Sequence, residues 1–138
     1  MIIKWHLHTE DTLSGKIEPD DLCGKISITY KDASINDDLV YLENWFDGFV
    51  YVCDKLYLTV EGEYDLITEP DPLRFKINNG FLDLSYKNSH VYKIPVKDFR
   101  QDVIDSGKSL VGILMQESKA EDLSSLGKLI DFLKANSA

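Results

Sequence analysis

Residues 73–96 read LRFKINNGFLDLSYKNSHVYKIPV, and their pattern is the clearest indication of the fold in this sequence. Apolar and polar side chains alternate along three successive runs, which is typical of strands that turn one face towards a core. Asn79-Gly80 separates the first two runs and indicates a tight hairpin turn, because both residues accept a positive φ. Lys87–Ser89 marks the second turn, and Pro95 has no amide hydrogen to donate to a ladder. The stretch therefore predicts an antiparallel meander whose last strand lies at an edge.

Three further strands are predicted before this stretch. Side chains alternate at residues 2–9, at 25–31 and at 56–66, and residues 67–72 are expected to turn the chain into the meander. Residues 10–23 carry five acids, a glycine and a proline, so we expect a long polar loop there. The place of the first two strands in the sheet stays open.

The helical segments lie on either side of the meander. Apolar side chains at helical spacing predict a helix at about 37–54, for which Asn36 and Asp37 are suitable N-caps. After the meander, a second helix is expected to begin at Asp98, although two glycines weaken it, and a final helix at Glu121. The apolar surface of the first helix is wider than one stripe, which indicates burial on several sides or contact with a partner.

The predicted order of elements is β-β-α-β-β-β-β-α-α within a single domain, residues 1–138. This order predicts an α+β fold with an antiparallel sheet of about six strands and helices packed on one face. A length of 138 residues with 43% apolar residues is sufficient for one hydrophobic core.

Composition argues against several classes of function. With 15 basic and 24 acidic residues the chain has a net charge of −9, so free DNA or RNA is not an expected ligand. No apolar run is long enough for a membrane span, and we expect no membrane partner. Cys23 and Cys53 are too few for a disulfide framework and indicate reduced thiols in a cytoplasmic protein.

No motif indicates an enzyme or a cofactor. The sequence lacks G-x-S-x-G, a P-loop and G-x-G-x-x-G. His6 and His8 share a predicted strand face, but a zinc site needs three or four ligands, and sequence alone does not place His90 beside them. We therefore expect no catalytic residue, no metal ion and no cofactor.

Negative charge is concentrated in the first half of the chain. Residues 1–71 contain 16 acids and 5 bases, whereas residues 72–138 contain 8 acids and 10 bases. One explanation is solubility, which net charge improves. The other is an acidic surface that attracts a basic partner and speeds its binding. The sequence leaves both explanations open.

Glu61 and Glu63, followed by Asp65, form a row of acids on one face of a predicted strand. The expected hairpin pairs Asp65 with Arg74 and Glu63 with Lys76, which leaves Glu61 without a partner across the strands. Ordinary cross-strand ion pairs therefore explain most of the row, and a surface for a basic partner is the alternative.

Glu43 and Asp47 lie one turn apart on the predicted first helix, where like charges repel each other and no base lies near them in the sequence. They accompany Tyr41 and Trp45, and Trp45 is either a core residue or an interface anchor. A solvated helix face and a binding surface both explain this acidic stripe.

The meander and its flanks share a pattern with a known group of proteins. The shared segments are Glu69-Pro70, Leu73–Ile77, Asn79-Gly80, Val91–Val96 and Phe99. Over about residues 36–135, the general pattern of the sequence resembles bacterial immunity proteins of polymorphic-toxin and contact-dependent growth inhibition systems. In those families a basic strand and a sheet-ending Val-Pro or Ile-Pro-Val segment lead into C-terminal helices. The resemblance implies a stoichiometric inhibitor of a cognate toxin domain, often a basic nuclease, and assigns no residue a role.

We therefore expect an immunity protein that neutralises a basic, possibly nuclease, toxin domain by occlusion and charge complementarity. The residues expected at its interface are Tyr41, Glu43, Trp45, Asp47, Glu61, Glu63, and the acids Asp20, Asp21, Glu69 and Asp71 of two predicted loops. The alternative is a small-molecule-binding or regulatory subunit without catalytic activity, with its ligand held between sheet and helices. The sequence does not decide between a monomer and a homodimer.

Overall fold

Seven strands and three helices make up the part of the chain that the computed structural model describes, residues 1–8, 22–67, 69–116 and 124–136. One antiparallel sheet contains, in spatial order, β1 (Ile3–Leu7), β2 (Cys23–Tyr30) and β3 (Ala33–Tyr41). A second contains β4 (Val60–Tyr64), β5 (Leu73–Asn78), β6 (Phe81–Tyr86) and β7 (Ser89–Pro95). The helices are α1 (Leu42–Cys53), α2 (Val96–Met115) and α3 (Gly127–Ala135), and a 3-10 turn (Ser124–Leu126) precedes α3.

The predicted α+β fold class is confirmed, and the meander is its best-predicted part. β5, β6 and β7 pair antiparallel in sequence order. Asn79 and Gly80 take φ values of 54° and 82°, so the hairpin between β5 and β6 has the two positive φ angles of a type I′ turn. Leu82 lies opposite Ile94 on the buried face of the next pair. Alternation and turn chemistry agree along this stretch, which is why local sequence was sufficient to predict it.

Residues 37–41 are strand rather than the first turns of a helix, so the prediction for this segment was wrong. Asn36 and Asp37 lie within β3, where they pair with Ser27 and Ile26 of β2. The helix begins only at Leu42, and the backbone of its N-cap residue, Tyr41, is extended. Pairing with β2 gives the backbone of this segment its hydrogen bonds, and the Val40 side chain is buried. These gains outweigh the local preference for a helix, which the helical spacing of apolar residues had suggested.

The strands also divide differently from the expected sheet of about six. β1, β2 and the additional strand β3 form their own sheet. β7 lies against β3 and β2, but among the described residues no ladder joins the two sheets. α1 contacts β2 and β3, α2 contacts β1, β6 and β7, and α3 packs against the other two helices. The apolar core therefore runs between both sheets and the helices.

Aromatic side chains of α1 fill the centre of this core. Phe49 is fully buried and meets Phe46 and Phe99 edge to face, with ring centres 5.4 and 6.0 Å apart. Cys53 also faces inward, and burial raises the pKa of its thiol to about 12. The wide apolar surface of α1 is thus explained largely by packing within the chain.

α2 starts at Val96, two residues before the expected Asp98, and continues without a break through both of its glycines. A Cβ added at Gly107 would lie 2.9 Å from Leu129 Cδ1, so this glycine permits the close approach of α3. A Cβ at Gly112 would meet nothing within 4 Å. The expected helix start at Glu121 lies outside the described residues. No helix of the described ranges is long and apolar enough to cross a membrane.

The two glycines give a matched test of the packing between α2 and α3. Gly112→Ala should raise the free energy of unfolding by about 0.5–1 kcal/mol, because alanine is the better helix former and has open space there. The free energy of unfolding of Gly107→Ala should instead be about 1–3 kcal/mol lower than that of Gly112→Ala, because the added Cβ forces Leu129 to move. Urea denaturation of both variants measures the difference. Equal gains in both would show that α3 does not approach α2 at Gly107.

Candidate protein-binding surface

Three distant segments meet at the hydroxyl of Tyr86, at the end of β6. This hydroxyl lies 3.2 Å from Asp37 Oδ2 of β3 and 3.3 Å from Glu69 Oε2, just before β5. Lys87 Nζ lies 3.9 Å from the same Asp37 oxygen. We name these four residues, Tyr86, Asp37, Glu69 and Lys87, the Tyr86 cluster. It joins both sheets at their shared boundary.

The Tyr86 cluster has a surplus of negative charge. A hydroxyl has one proton, so Tyr86 donates to only one of its two carboxylates at a time. Burial, followed by the charges of Glu69 and Asp37, raises the pKa of Tyr86 well above its usual range and keeps the phenol protonated. Lys87 balances Asp37 from 3.9 Å, whereas Glu69 has no ion-pair partner in the ranges that the structure covers. One carboxylate therefore stays available to an external cation.

A β-bulge places an apolar side chain beside this cluster. Asp38 and Leu39 of β3 together lie opposite the single residue Lys25 of β2. The Leu39 amide donates to Asp37 Oδ1 at 3.2 Å, and His8 Nε2 donates to the Asp38 carbonyl at 2.8 Å. The bulge is thus fixed from both sides, and it leaves the Leu39 side chain 68% exposed.

Trp45 packs against Tyr86 on the core side of the cluster and is not a surface anchor. It is fully buried, and its ring meets Tyr86 edge to face with ring centres 4.9 Å apart. The open question from the sequence is thereby answered in favour of the core. Tyr41, the last residue of β3, remains 37% exposed opposite Cys23. Of the two aromatic residues expected at an interface, only Tyr41 is on the surface.

Glu43 is likewise buried, with 7% of its surface exposed, and does not form an acidic stripe with Asp47. Its Oε2 accepts a hydrogen bond from the Leu22 amide at 2.9 Å, and the Leu22 carbonyl accepts one from the Leu42 amide at 2.9 Å. The late start of α1 explains this change, because it brings the first helical turn against the chain that enters β2. Glu43 therefore fixes the backbone and is not available to a partner.

Asp47 lies one turn further along α1, half-buried in a cleft that α2 and α3 also line. Burial raises the pKa of this carboxyl, and the charge of Lys128 opposes that effect. Burial and the charge of Asp47 in turn raise the pKa of Tyr64, at the end of β4. Asp47 is thus separated from Glu43 in environment although the two lie one helical turn apart.

Glu61 and Glu63 are exposed on β4, but their cross-strand partners differ from the prediction by two residues. Glu61 lies opposite Lys76 and Glu63 opposite Arg74, whose Nε is 3.5 Å from Glu63 Oε2. Asp65 follows the end of the ladder. A shift of two residues keeps each side chain on its face, so the acidic row faces the basic row as expected although each cross-strand pair is displaced.

The outer face of the second sheet, to which Glu61 and Glu63 belong, is a shallow depression of ≈ 560 Å³. Acids of β4 face bases of β5, and Lys76 also lies opposite Asp83 of β6. Ser85 Oγ lies 2.9 Å from His90 Nδ1, and the His90 ring stacks on Tyr92. The charges of this face largely compensate one another, so it is a weaker candidate surface than the Tyr86 cluster.

The structure brings together only part of the predicted set. Glu69 joins the cluster, whereas half-buried Asp71 has no hydrogen bond or ion pair with any described residue. Asp20 and Asp21 lie outside the described residues. Tyr86 was not among the residues predicted from the sequence, because its partner Asp37 is 49 positions away. No group of three or more His, Cys, Asp or Glu side chains in the described ranges could hold a metal ion.

Removal of the Tyr86 hydroxyl tests the cluster. Tyr86→Phe should lower the free energy of unfolding by about 1 kcal/mol, because a charged acceptor loses its donor while its carboxylate remains near water. The matched control is Tyr92→Phe on the exposed sheet face, which should change it by less than about 0.5 kcal/mol. Urea denaturation measures both values. Equal losses in the two variants would contradict the role assigned to Tyr86.

Neutralisation of Asp47 should stabilise the fold in a pH-dependent way. A carboxyl whose pKa is raised on folding destabilises the fold once it ionises, so the wild-type chain loses stability as pH rises from 3.8 through the folded pKa. Asp47→Asn should therefore be the more stable protein at pH 7, and its advantage should vanish towards low pH. Urea midpoints of both proteins across this range measure the effect, with Asp32→Asn in an exposed turn as control. An advantage that grows at low pH would refute this.

Known proteins give no indication of the function of this chain. No protein-family model matches the chain, and neither a curated protein nor a solved structure is significantly similar to it.

Proposed function

We propose that this chain is an inhibitory binding protein of the immunity type, which neutralises a basic toxin domain by covering its surface. The observation that carries the proposal is the Tyr86 cluster, where two carboxylates share one buried hydroxyl beside exposed apolar side chains. Such a combination suits a partner that presents a lysine or arginine next to apolar surface.

The charge of the cluster supports a basic partner. Glu69 lacks an ion pair with any described residue, and Lys87 reaches Asp37 only at 3.9 Å. A cation of the partner would give the second carboxylate a charge-assisted hydrogen bond while Tyr86 keeps donating to the first. A surplus of acids around this point would also increase the association rate with a basic protein.

The apolar residues beside the cluster supply the remaining part of an interface. Leu39 is 68% exposed and lies two residues from Asp37, and Ile67 is 79% exposed and lies two residues from Glu69. Tyr41 adds an aromatic ring at the end of the same strand. Single exposed apolar residues are common, but here each lies two residues along the chain from a carboxylate of the cluster.

Contacts within the chain hold the cluster in place, which reduces the entropy lost when a partner binds. Asp37 is fixed by the bulge of β3, and Tyr86 by its strand and by the buried ring of Trp45. Side chains that are already ordered lose little conformational entropy when a partner arrives. Inhibition would then follow from steric occlusion and requires no chemical step.

The first experiment captures the partner and tests whether it is toxic. We expect this chain, used as bait in its native host, to retain one basic protein stoichiometrically and to release it as the salt concentration rises. That protein should arrest growth when it is expressed alone, and co-expression of this chain should restore growth. A captured protein without toxicity would refute the immunity function and leave a binding function.

Variants of the cluster then locate the interface. Glu69→Gln and Asp37→Asn should each weaken binding of the captured protein by about tenfold and reduce its salt dependence, because each removes one charge. Asp32→Asn, in the turn at the opposite end of β3, is the matched control and should leave affinity unchanged. Calorimetric titration at fixed ionic strength measures all three.

Two outcomes would overturn these expectations. Equal affinities for the cluster variants, the control and the wild type would remove the Tyr86 cluster from the interface. Failure of the folded bait to retain any partner would favour the alternative, a small-molecule-binding or regulatory subunit. A thermal-shift screen with metabolites would then identify the ligand, because binding to the native state raises the Tm.

A further inference from the structure

A cleft between the three helices is separate from the Tyr86 cluster and has a volume of ≈ 520 Å³. α1 contributes one wall, the start of α2 another and α3 the third. The lining residues that matter for its chemistry are Asp47, Tyr51, Asp54, Arg100, Lys128 and Phe132. The cleft thus combines carboxylates, resident cations and two aromatic rings.

Asp47 is the unusual residue of this cleft. Its Oδ1 is buried and has no hydrogen-bond partner in the part of the chain described here. Buried carboxylate oxygens normally accept hydrogen bonds, so an orphaned one calls for an explanation. Lys128 lines the same cleft, but none of its described contacts is an ion pair within 4.0 Å of Asp47. The charge of Asp47 is therefore desolvated without being neutralised at short range.

The other resident cation, Arg100, is already engaged. Its guanidinium lies 5.9 Å from the centre of the Phe132 ring, and its Nη2 donates to Asn136 Oδ1. Tyr51, on the α1 wall, has Lys55 Nζ 4.7 Å from the centre of its ring, although Lys55 is not a lining residue of the cleft. Both aromatic rings of the cleft thus already contact cations of this chain.

We infer that this cleft receives the guanidinium or ammonium group of an arginine or lysine carried by the protein partner. The group would neutralise Asp47, while its methylene stem packs on Val50, Tyr51 and Phe132. The inference rests on the proposed function for the source of this side chain, since a basic toxin surface supplies arginines and lysines. Its chemistry depends only on the cleft and is tested separately.

The competing explanation is that Lys128 neutralises Asp47 by a change of rotamer. Lys128 is exposed at the rim and its charge already lowers the pKa of Asp47. Under this explanation Lys128→Gln should destabilise the fold, and the wild-type chain should not bind an added cation, because Lys128 already neutralises Asp47. Under our inference the wild-type chain should bind the added cation, and Lys128→Gln should leave the urea midpoint nearly unchanged.

The decisive experiment is an NMR titration with N-acetyl-argininamide at fixed ionic strength. We expect the amide resonances of Tyr51 and Phe132 to shift with this probe and not with N-acetyl-citrullinamide, its neutral isostere. Asp47→Asn should weaken the response by about tenfold, and Asp32→Asn should not change it. Absence of the shifts, equal shifts with both probes, or an undiminished response in Asp47→Asn would each overturn the inference.

The captured partner separates a failure of this inference from a failure of the proposed function. If the partner binds while the probe does not occupy the cleft, the inference falls and the proposed function stands. If the probe binds through Asp47 while no partner is found, the cation site stands, but its ligand is a small organic cation and the assignment to a toxin side chain falls. If both bind, Asp47→Asn should also weaken the partner by about tenfold, and unchanged affinity would refute the assignment to the partner.

Discussion

The edge-to-face packing of Trp45 against Tyr86, at 4.9 Å, is the contact on which the rest of the arrangement depends. It brings α1 to the boundary between two sheets that share no ladder. From there the Tyr86 hydroxyl reaches Asp37 of the first sheet, so one side chain connects a helix, both sheets and the surface. The packing of the core therefore affects the candidate interface, because a substitution at Trp45 would alter the position of Tyr86 and of the carboxylates around its hydroxyl.

Local sequence was sufficient wherever neighbouring residues determine the structure. The meander, its Asn79-Gly80 turn and the α+β class follow from alternation and turn chemistry. β3 did not follow, because residues 37–41 continue the helical spacing of α1 and only pairing with β2 makes them a strand. The Tyr86 cluster could not be predicted either, because its members come from β3, the end of β6 and the segment before β5, which meet only through tertiary packing. Glu69 alone was predicted as a binding residue, and on grounds of loop acidity, not of contact.

The acidic half of the chain separates into distinct electrostatic environments. Glu43 is buried and accepts a backbone hydrogen bond, Asp47 is desolvated in a helical cleft, and Glu63 is exposed with an arginine 3.5 Å away. Around Tyr86, two carboxylates face one hydroxyl and one lysine. A net charge of −9 is thus a poor guide to an interface by itself, because each acid contributes according to its burial and its neighbours.

The bulge in β3 has a consequence for how such a surface can change over evolutionary time. Asp38 and Leu39 share a single opposite residue, so neither occupies a regular position in the ladder. Substitutions at Leu39 would alter what the surface presents while the buried side chains on either side keep their places. Under the proposed function, this permits related chains to diverge in partner choice at one point of a constant scaffold. Loss of one of these two residues would leave a single residue opposite Lys25 and restore a regular ladder, so Val40 and Tyr41 would keep their faces and the entry into α1 would be preserved.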